Sequence, residues 1–169
     1  MGRSGTTNAQ HILNAHPQVM LNGEIMLSLQ KQLFALLDSA DHAHGAKDGT
    51  NGRWHERKSD YIFESFGYLS KGGRGQLKKI PNARFRGHKT PRLETLFDRY
   101  EKHFGEAGLL PRYFYCARNP FDCWRSYKAM PWNRYKSVEQ FLVHYIESFE
   151  CVEAHAGRGR GSCLDRQSR

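Results

Sequence analysis

Strand-like runs that alternate with helical patterns constrain the fold of this 169-residue chain more than any other feature. Residues 83–88 and the apolar run 113–117 are typical of short strands, and the second is apolar at consecutive positions, as in a strand buried on both faces. Helical periodicity precedes, separates and follows them. This alternation predicts an α/β fold with a parallel sheet flanked by helices.

Apolar residues recur with helical spacing in six predicted helices: 4–16, 24–39, 60–69, 89–104, 120–129 and 138–152. The polar, glycine-containing segment 40–59 and the basic segment 71–79 are predicted to be loops, the second either a solvated loop or an anion-binding one. We expect one domain over residues 1–156. The Gly-Arg stretch 157–169 lacks periodicity and is predicted to be a disordered basic tail.

The net charge of +9 and the sequence pI near 9.6 favour an anionic partner, which could be a nucleic acid, a polyanionic nucleotide or an acidic acceptor. No apolar run approaches the roughly 20 residues of a membrane span, and no signal peptide is evident, so a cytoplasmic location is expected. The four cysteines lack metal-binding spacing and are interpreted as reduced thiols, with Cys116 in the core. Asp41, His42, His44 and His55 are irregularly spaced, and we interpret them as loop residues and predict no metal.

The N-terminal motif Gly2-Arg3-Ser4-Gly5-Thr6-Thr7 combines small residues, a cation and a helix start. Backbone N–H groups in such a loop can turn inward to bind phosphate or sulfate. The lysine and glycine spacing of the Walker loop are absent, and Arg3 would be the cation. Taken alone, the motif is equally well an ordinary capped helix start.

Three further motifs follow in order: His16-Pro17 with Gly23-Glu24, then Gly87-His88-Lys89-Thr90-Pro91, then Tyr115-Cys-Ala-Arg118-Asn119-Pro120 followed by Ser126. With the first motif, this series resembles the sulfotransferase superfamily, closest to the carbohydrate and tyrosylprotein branches and their bacterial relatives. The resemblance covers about residues 2–153. It implies a P-loop-like three-layer fold and the cosubstrate 3'-phosphoadenosine 5'-phosphosulfate (PAPS), with 3'-phosphoadenosine 5'-phosphate (PAP) as product.

The resemblance also implies residue roles. Arg118 and Ser126 would bind the 3'-phosphate of the nucleotide. The 5'-phosphosulfate would be bound by the N-terminal motif residues Arg3, Ser4, Gly5, Thr6 and Thr7. Negative charge develops on the bridging oxygen during sulfuryl transfer, and Arg3 and Lys89 are the candidate cations there. Glu24 is the candidate general base, although an acidic residue at this place could equally cap the second helix. His88 is the less favoured base.

The chain departs from the family pattern at both ends. The family loop is preceded by a hydrophobic strand, and further segments follow downstream, so we expect a fragment whose first strand is missing. The predicted function is transfer of a sulfuryl group from PAPS to a hydroxyl or amine of a glycan, peptide or small molecule. Two alternatives stay open, a P-loop nucleotide phosphotransferase and a non-catalytic relative that binds nucleotides or polyanions. Nucleic acid is disfavoured as a partner, and the acceptor and oligomeric state are left open.

Overall fold

The computed structural model describes residues 5–45, 52–70 and 83–164. Within these residues the fold is mixed α/β, with six α-helices and a two-stranded parallel sheet. The chain divides into two compact units, Thr6–Tyr113 and a unit that begins at Phe114. None of the described helices combines the length and the hydropathy that a bilayer crossing requires.

Both strands belong to the unit Thr6–Tyr113. Its elements in chain order are α1 (Thr6–Asn14), β1 (Val19–Glu24), α2 (Leu27–Gly45), α3 (Gly52–Leu69), β2 (Phe85–Lys89), a 3-10 helix (Leu93–Leu96) and α4 (Phe97–Glu106). The strands pair in parallel, with Val19 opposite Phe85 and Glu24 opposite Lys89. Because the strands run the same way and end in register, their carboxyl ends lie at one edge of the sheet.

The core of this unit lies among α2, α3 and α4. Apolar residues spaced three or four apart on each helix point inward, and the largest are Phe34, Leu37, Ile62, Phe66, Tyr100 and Phe104. The rings of Phe34 and Tyr100 pack edge to face with centroids 4.8 Å apart, and those of Phe66 and Phe104 are stacked at 6.0 Å. This core supports β2 through α3, so the strand ends rest on a packed base.

Two predictions for this unit are wrong in part. The predicted loop 40–59 instead contains the end of α2 and the beginning of α3. Where these two helices face each other, they are connected by polar side chains, so the sequence there lacks the apolar periodicity that predicts a helix. The predicted helix 24–39 begins only at Leu27, because Val19–Glu24 forms β1, a strand that periodicity did not reveal. Glu24 therefore ends a strand and does not cap a helix. The strand predicted at 83–88 is confirmed as β2.

The second unit contains α5 (Pro120–Lys128) and α6 (Val138–Leu164). The Asn119 side chain accepts a 2.9 Å hydrogen bond from the Phe121 N–H, and Pro120 fits the first helical position, so the helix predicted at 120–129 is confirmed. Helix α6 continues to Leu164, which differs from the disordered tail predicted from Gly157. Residues 165–169 lie outside the described part.

The strand predicted at 113–117 is absent, and these residues are irregular. Phe114 is 72% exposed and Cys116 is only half-buried, so neither contributes to a core as expected. The Tyr115 and Ser148 hydroxyls lie 3.1 Å apart and link the run to α6. An apolar run forms a strand only when another strand takes up its backbone N–H and C=O groups, and in the described residues none pairs with it.

Candidate functional site

The carboxyl ends of β1 and β2 bring together two residues that the sequence singled out. Glu24 is the last residue of β1, Lys89 is the last residue of β2, and the two are partners in the ladder. The register shifts between Asn22 and Glu24, an irregularity of the kind that redirects side chains at a strand end. Ligands of open α/β sheets bind beyond this edge.

The Lys89 ammonium also contacts the beginning of α1. It donates a 3.0 Å hydrogen bond to the hydroxyl of Thr7, the second residue of that helix. The first N–H groups of a helix have no partner within it, so they are available to an anion. Gly5, directly before the helix, has a φ of 91°, which glycine adopts without strain. We call Thr7, Glu24 and Lys89 the strand-end site.

Amide side chains of α1 hold this helix against β1. The Asn14 side chain accepts from the Leu21 N–H at 2.6 Å and donates to the Leu21 carbonyl at 2.9 Å, which imitates a neighbouring strand. Gln10 donates to the carbonyls of Leu21 and Asn22 at 2.9 and 2.8 Å. The position of Thr7 relative to the strand ends is thus fixed by four hydrogen bonds.

The two strands approach closely one residue before His88. A Cβ atom at Gly87 would lie 3.1 Å from Leu21 Cδ2, so a larger residue would require the Leu21 side chain to shift. Glycine in the Gly87-His88-Lys89 motif therefore has a packing reason in this chain.

His88, the less favoured base, has no free ring nitrogen. Its Nδ1 lies 2.9 Å from the Thr90 hydroxyl and its Nε2 lies 2.7 Å from the Tyr100 hydroxyl. Burial lowers the pKa of His88 to about 4. A histidine that is neutral, weakly basic and engaged at both nitrogens is unsuited to accept a proton from a substrate, which leaves Glu24 as the better candidate.

Arg118 and Ser126 belong to the second unit. Arg118 lies just before the Asn119 cap of α5, and its side chain is exposed. Its carbonyl accepts a 2.8 Å hydrogen bond from the Tyr145 hydroxyl, which fixes the turn to α6. Ser126 is half-buried on α5. The remaining predicted ligands, Arg3 and Ser4, lie outside the described residues, as does the basic segment 71–79.

Sequence reasoning considered only one member of a second group of charged residues, Asp41, and placed it in a loop. We call this group the helix charge cluster: Asp38, Asp41, Lys58, Lys102, His103 and Glu106. The Lys58 ammonium is fully buried and contacts Asp41 at 2.8 Å and Glu106 at 2.5 Å, joining α2, α3 and α4. Lys102 contacts Asp38 at 2.5 Å, and Arg99 also pairs with Asp38. The only sequence signal was the i, i+3 spacing of Asp38 with Asp41 and of His103 with Glu106.

The helix charge cluster has the ligand types of a metal site but not the charge balance of one. Ligand atoms of Asp38, Asp41 and His103 lie within 4.8 Å of one another. Burial opposes ionisation of Asp41, yet hydrogen bonds from Lys58 and Trp54 outweigh it and hold its pKa below the ordinary value. The carboxylates of Asp38, Asp41 and Glu106 face the cations of Lys58 and Lys102 and that of the neighbouring Arg99. The charges are therefore balanced without a metal, and we interpret the cluster as an ion-pair network between helices.

Comparison with known proteins adds no assignment: no protein-family model, curated protein or solved structure matches this chain.

Proposed function

We propose that this chain is a sulfotransferase that uses PAPS. The observation that carries the proposal is the strand-end site, in which a lysine, a helix N-terminus and a glutamate meet at the carboxyl edge of two parallel strands. The motif resemblance predicted these residue types for sulfuryl transfer. The net charge of +9 is in keeping with a polyanionic nucleotide.

In the proposed reaction, an acceptor hydroxyl or amine attacks the sulfur atom of PAPS in line with the bridging oxygen. A bond forms from the acceptor to sulfur, and the bond from sulfur to the bridging oxygen breaks, so that PAP leaves with the electron pair. Lys89, with Arg3, would neutralise the charge that develops on that oxygen. The Glu24 carboxylate would take the acceptor proton.

The nucleotide would be held at both of its anionic ends. Gly5, Thr6, Thr7 and the preceding Ser4 would bind the 5'-phosphosulfate through backbone N–H groups and hydroxyls. Arg118 and Ser126 would bind the 3'-phosphate, which distinguishes PAP from ATP. The reaction is mainly a matter of positioning and electrostatics, as in phosphoryl transfer, and requires no metal in this proposal.

A calorimetric titration of the full chain with PAP and with ATP, at low and moderate salt, tests the proposal. We expect PAP to bind at least tenfold more tightly than ATP and to keep that preference as salt increases. Equal, weak binding of both nucleotides that disappears with salt would instead support a non-catalytic polyanion binder. Tighter binding of ATP would support a nucleotide phosphotransferase.

Two substitutions test the assigned roles. Arg118→Ala should weaken PAP binding, whereas Glu24→Gln should lower turnover of PAPS by about 100-fold while PAP binding stays within about twofold, because a general base acts mainly in the transition state. Turnover is measured as PAP release in the presence of an acceptor found by screening. An unchanged rate in Glu24→Gln would remove the general-base assignment.

A further inference from the structure

Four polar side chains next to the strand-end site form a closed ring of hydrogen bonds: Gln30, His88, Thr90 and Tyr100. We call this set the polar ring. Gln30 is wholly buried in the first turn of α2, and Tyr100 is 3% exposed on α4. The other two members flank Lys89 on β2, so the ring connects two helices to the end of a strand.

The protons of the polar ring can be placed from one fixed acceptor, the carbonyl of Ile25. Gln30 Nε2 lies 3.0 Å from this carbonyl and 2.8 Å from Thr90 Oγ1, so the Gln30 amide nitrogen must face them. Gln30 Oε1 therefore faces Tyr100, whose hydroxyl donates to it at 2.5 Å. This uses the only proton of the Tyr100 hydroxyl.

The assignment then determines the state of His88. Because the Tyr100 proton is already used, His88 Nε2 must donate to the Tyr100 oxygen over 2.7 Å. In a neutral His88, Nδ1 is then the acceptor, and the Thr90 hydroxyl donates its proton to Nδ1 over 2.9 Å and not to the Ile25 carbonyl 3.2 Å away. Every bond in the ring runs in one direction, an arrangement in which hydrogen bonds strengthen one another.

The polar ring involves the residue that directly follows each of the two proposed catalytic residues. Ile25 follows Glu24, and its carbonyl is held by Gln30, while the Thr90 hydroxyl lies 3.2 Å away. Thr90 follows Lys89. The ladder of β1 and β2 ends at Glu24 and Lys89, so the ring continues the connection between the strands where backbone pairing stops.

We infer that the members of the polar ring are positioning residues, which fix Glu24 and Lys89 relative to each other through a neutral His88 protonated on Nε2. The consequence for nucleotide binding rests on the function proposed above, whereas the tautomer of His88 does not. The Phe66 ring packs against His88 in an edge-to-face arrangement, with centroids 4.6 Å apart, and so contributes to the burial of the imidazole. The low pKa of His88 agrees with a neutral ring.

Nitrogen-15 NMR of the histidine-labelled full chain tests the inference at the level of chemistry. We expect His88 to be the Nε2–H tautomer and to keep the same shifts from pH 8 to pH 5.5. An Nδ1–H tautomer, or titration of His88 with a midpoint near 6.5, would overturn the ring. This readout does not depend on any nucleotide.

A PAP titration of Thr90 variants tests the positioning role. Thr90→Val keeps the shape but removes the hydroxyl, and we expect PAP to bind at least tenfold more weakly; Thr90→Ser should restore the affinity to within threefold of the original. Thr95→Val is the matched control, because Thr95 is exposed and its hydroxyl donates to the Arg92 carbonyl of its own turn, away from the polar ring. Thr90→Val that is folded and binds PAP normally would contradict the role.

The two proposals fail in different ways. If the unaltered chain does not bind PAP, the proposed function fails, and the NMR result alone decides whether the polar ring exists. If Thr90→Val does not fold, Tyr100→Phe replaces it in the PAP titration with the same expected tenfold weakening. That variant also removes the acceptor for His88 Nε2–H, so His88 should change to the Nδ1–H tautomer, and an unchanged tautomer would count against the ring.

Discussion

Two groups of charged side chains in the unit Thr6–Tyr113 use charge in opposite ways. In the helix charge cluster, the buried ammonium of Lys58 is neutralised by two carboxylates from neighbouring helices. At the strand-end site, the ammonium of Lys89 contacts the neutral hydroxyl of Thr7 and, within residues 5–45, 52–70 and 83–164, no carboxylate. Glu24 is exposed. Removing one partner of a compensated buried charge destabilises a fold, whereas a charge without such a partner can interact with a ligand. Matched substitutions can test this difference.

The largest expected effect is a loss of stability in Lys58→Met. The substitution leaves Asp41 and Glu106 without their buried partner, which should lower the free energy of unfolding by about 3 kcal/mol. Urea denaturation followed by circular dichroism measures it. Lys102→Met is the control, since Lys102 is 47% exposed and its pair with Asp38 should contribute less than about 1 kcal/mol. Equal losses in the two variants would show that burial of Lys58 does not matter.

The next effect is a loss of stability in acid, caused by two histidines whose pKa values are lowered in the folded chain. Burial holds the pKa of His88 at about 4 in the folded chain, against 6.5 for an ordinary histidine. A histidine whose pKa is lowered in the folded state stabilises that state above pH 6.5. This contribution, about 3 kcal/mol for His88, is lost as the pH falls toward 4. The pKa of His103 is also lowered, first by burial and then by Lys58, but Asp38 opposes the shift.

Urea titrations at pH 7, 5.5 and 4.5 measure this dependence. His88→Gln should flatten the decline in unfolding free energy more than His103→Gln does, because carboxylates partly offset the burial of His103. A decline that both variants leave untouched would assign it to other groups. Below pH 4, the depressed pKa values of Asp38 and Asp41 add a further loss as these carboxylates become protonated.

Lys89→Met should weaken PAP binding with little effect on stability, whereas Lys58→Met should mainly lower stability. The hydroxyl partner of Lys89 on Thr7 is exposed, so the unfolding free energy should change by less than about 0.5 kcal/mol. PAP affinity should fall by about 30-fold, or about 2 kcal/mol, because a charge-assisted hydrogen bond to the nucleotide is lost. Calorimetry and urea denaturation on the same preparation give both numbers. If Lys89→Met were much less stable but bound PAP normally, Lys89 would have a structural role and not a ligand-binding one.

The smallest effect concerns the attachment of α1 to β1. Asn14→Ala removes two hydrogen bonds to the backbone of Leu21, which should lower the unfolding free energy by about 1.5 kcal/mol. Asn8→Ala, an exposed position on the same helix, should change it by a few tenths at most. PAP affinity should fall in Asn14→Ala alone, because Thr7 is then less firmly placed. Identical behaviour of the two variants would contradict the attachment.

Short motifs singled out three residues that the structure brings together, whereas periodicity predicted several elements of the fold wrongly. The Thr7, Glu24 and Lys89 positions came from short motifs whose chemistry is local, and the structure brings them together. The apolar run 113–117 was predicted as a strand and is not one, because strand formation depends on a partner that local sequence does not specify. Lys58 lies in a segment that was predicted to be a loop. Its buried pairing could not be foreseen, because its partners lie 17 and 48 residues away in sequence.

The amide side chains on β1 have a consequence for how the sheet could be extended. A strand that approached the outer edge of β1 would have to displace the four hydrogen bonds from Gln10 and Asn14. That edge is therefore protected against strand addition and against edge-to-edge aggregation.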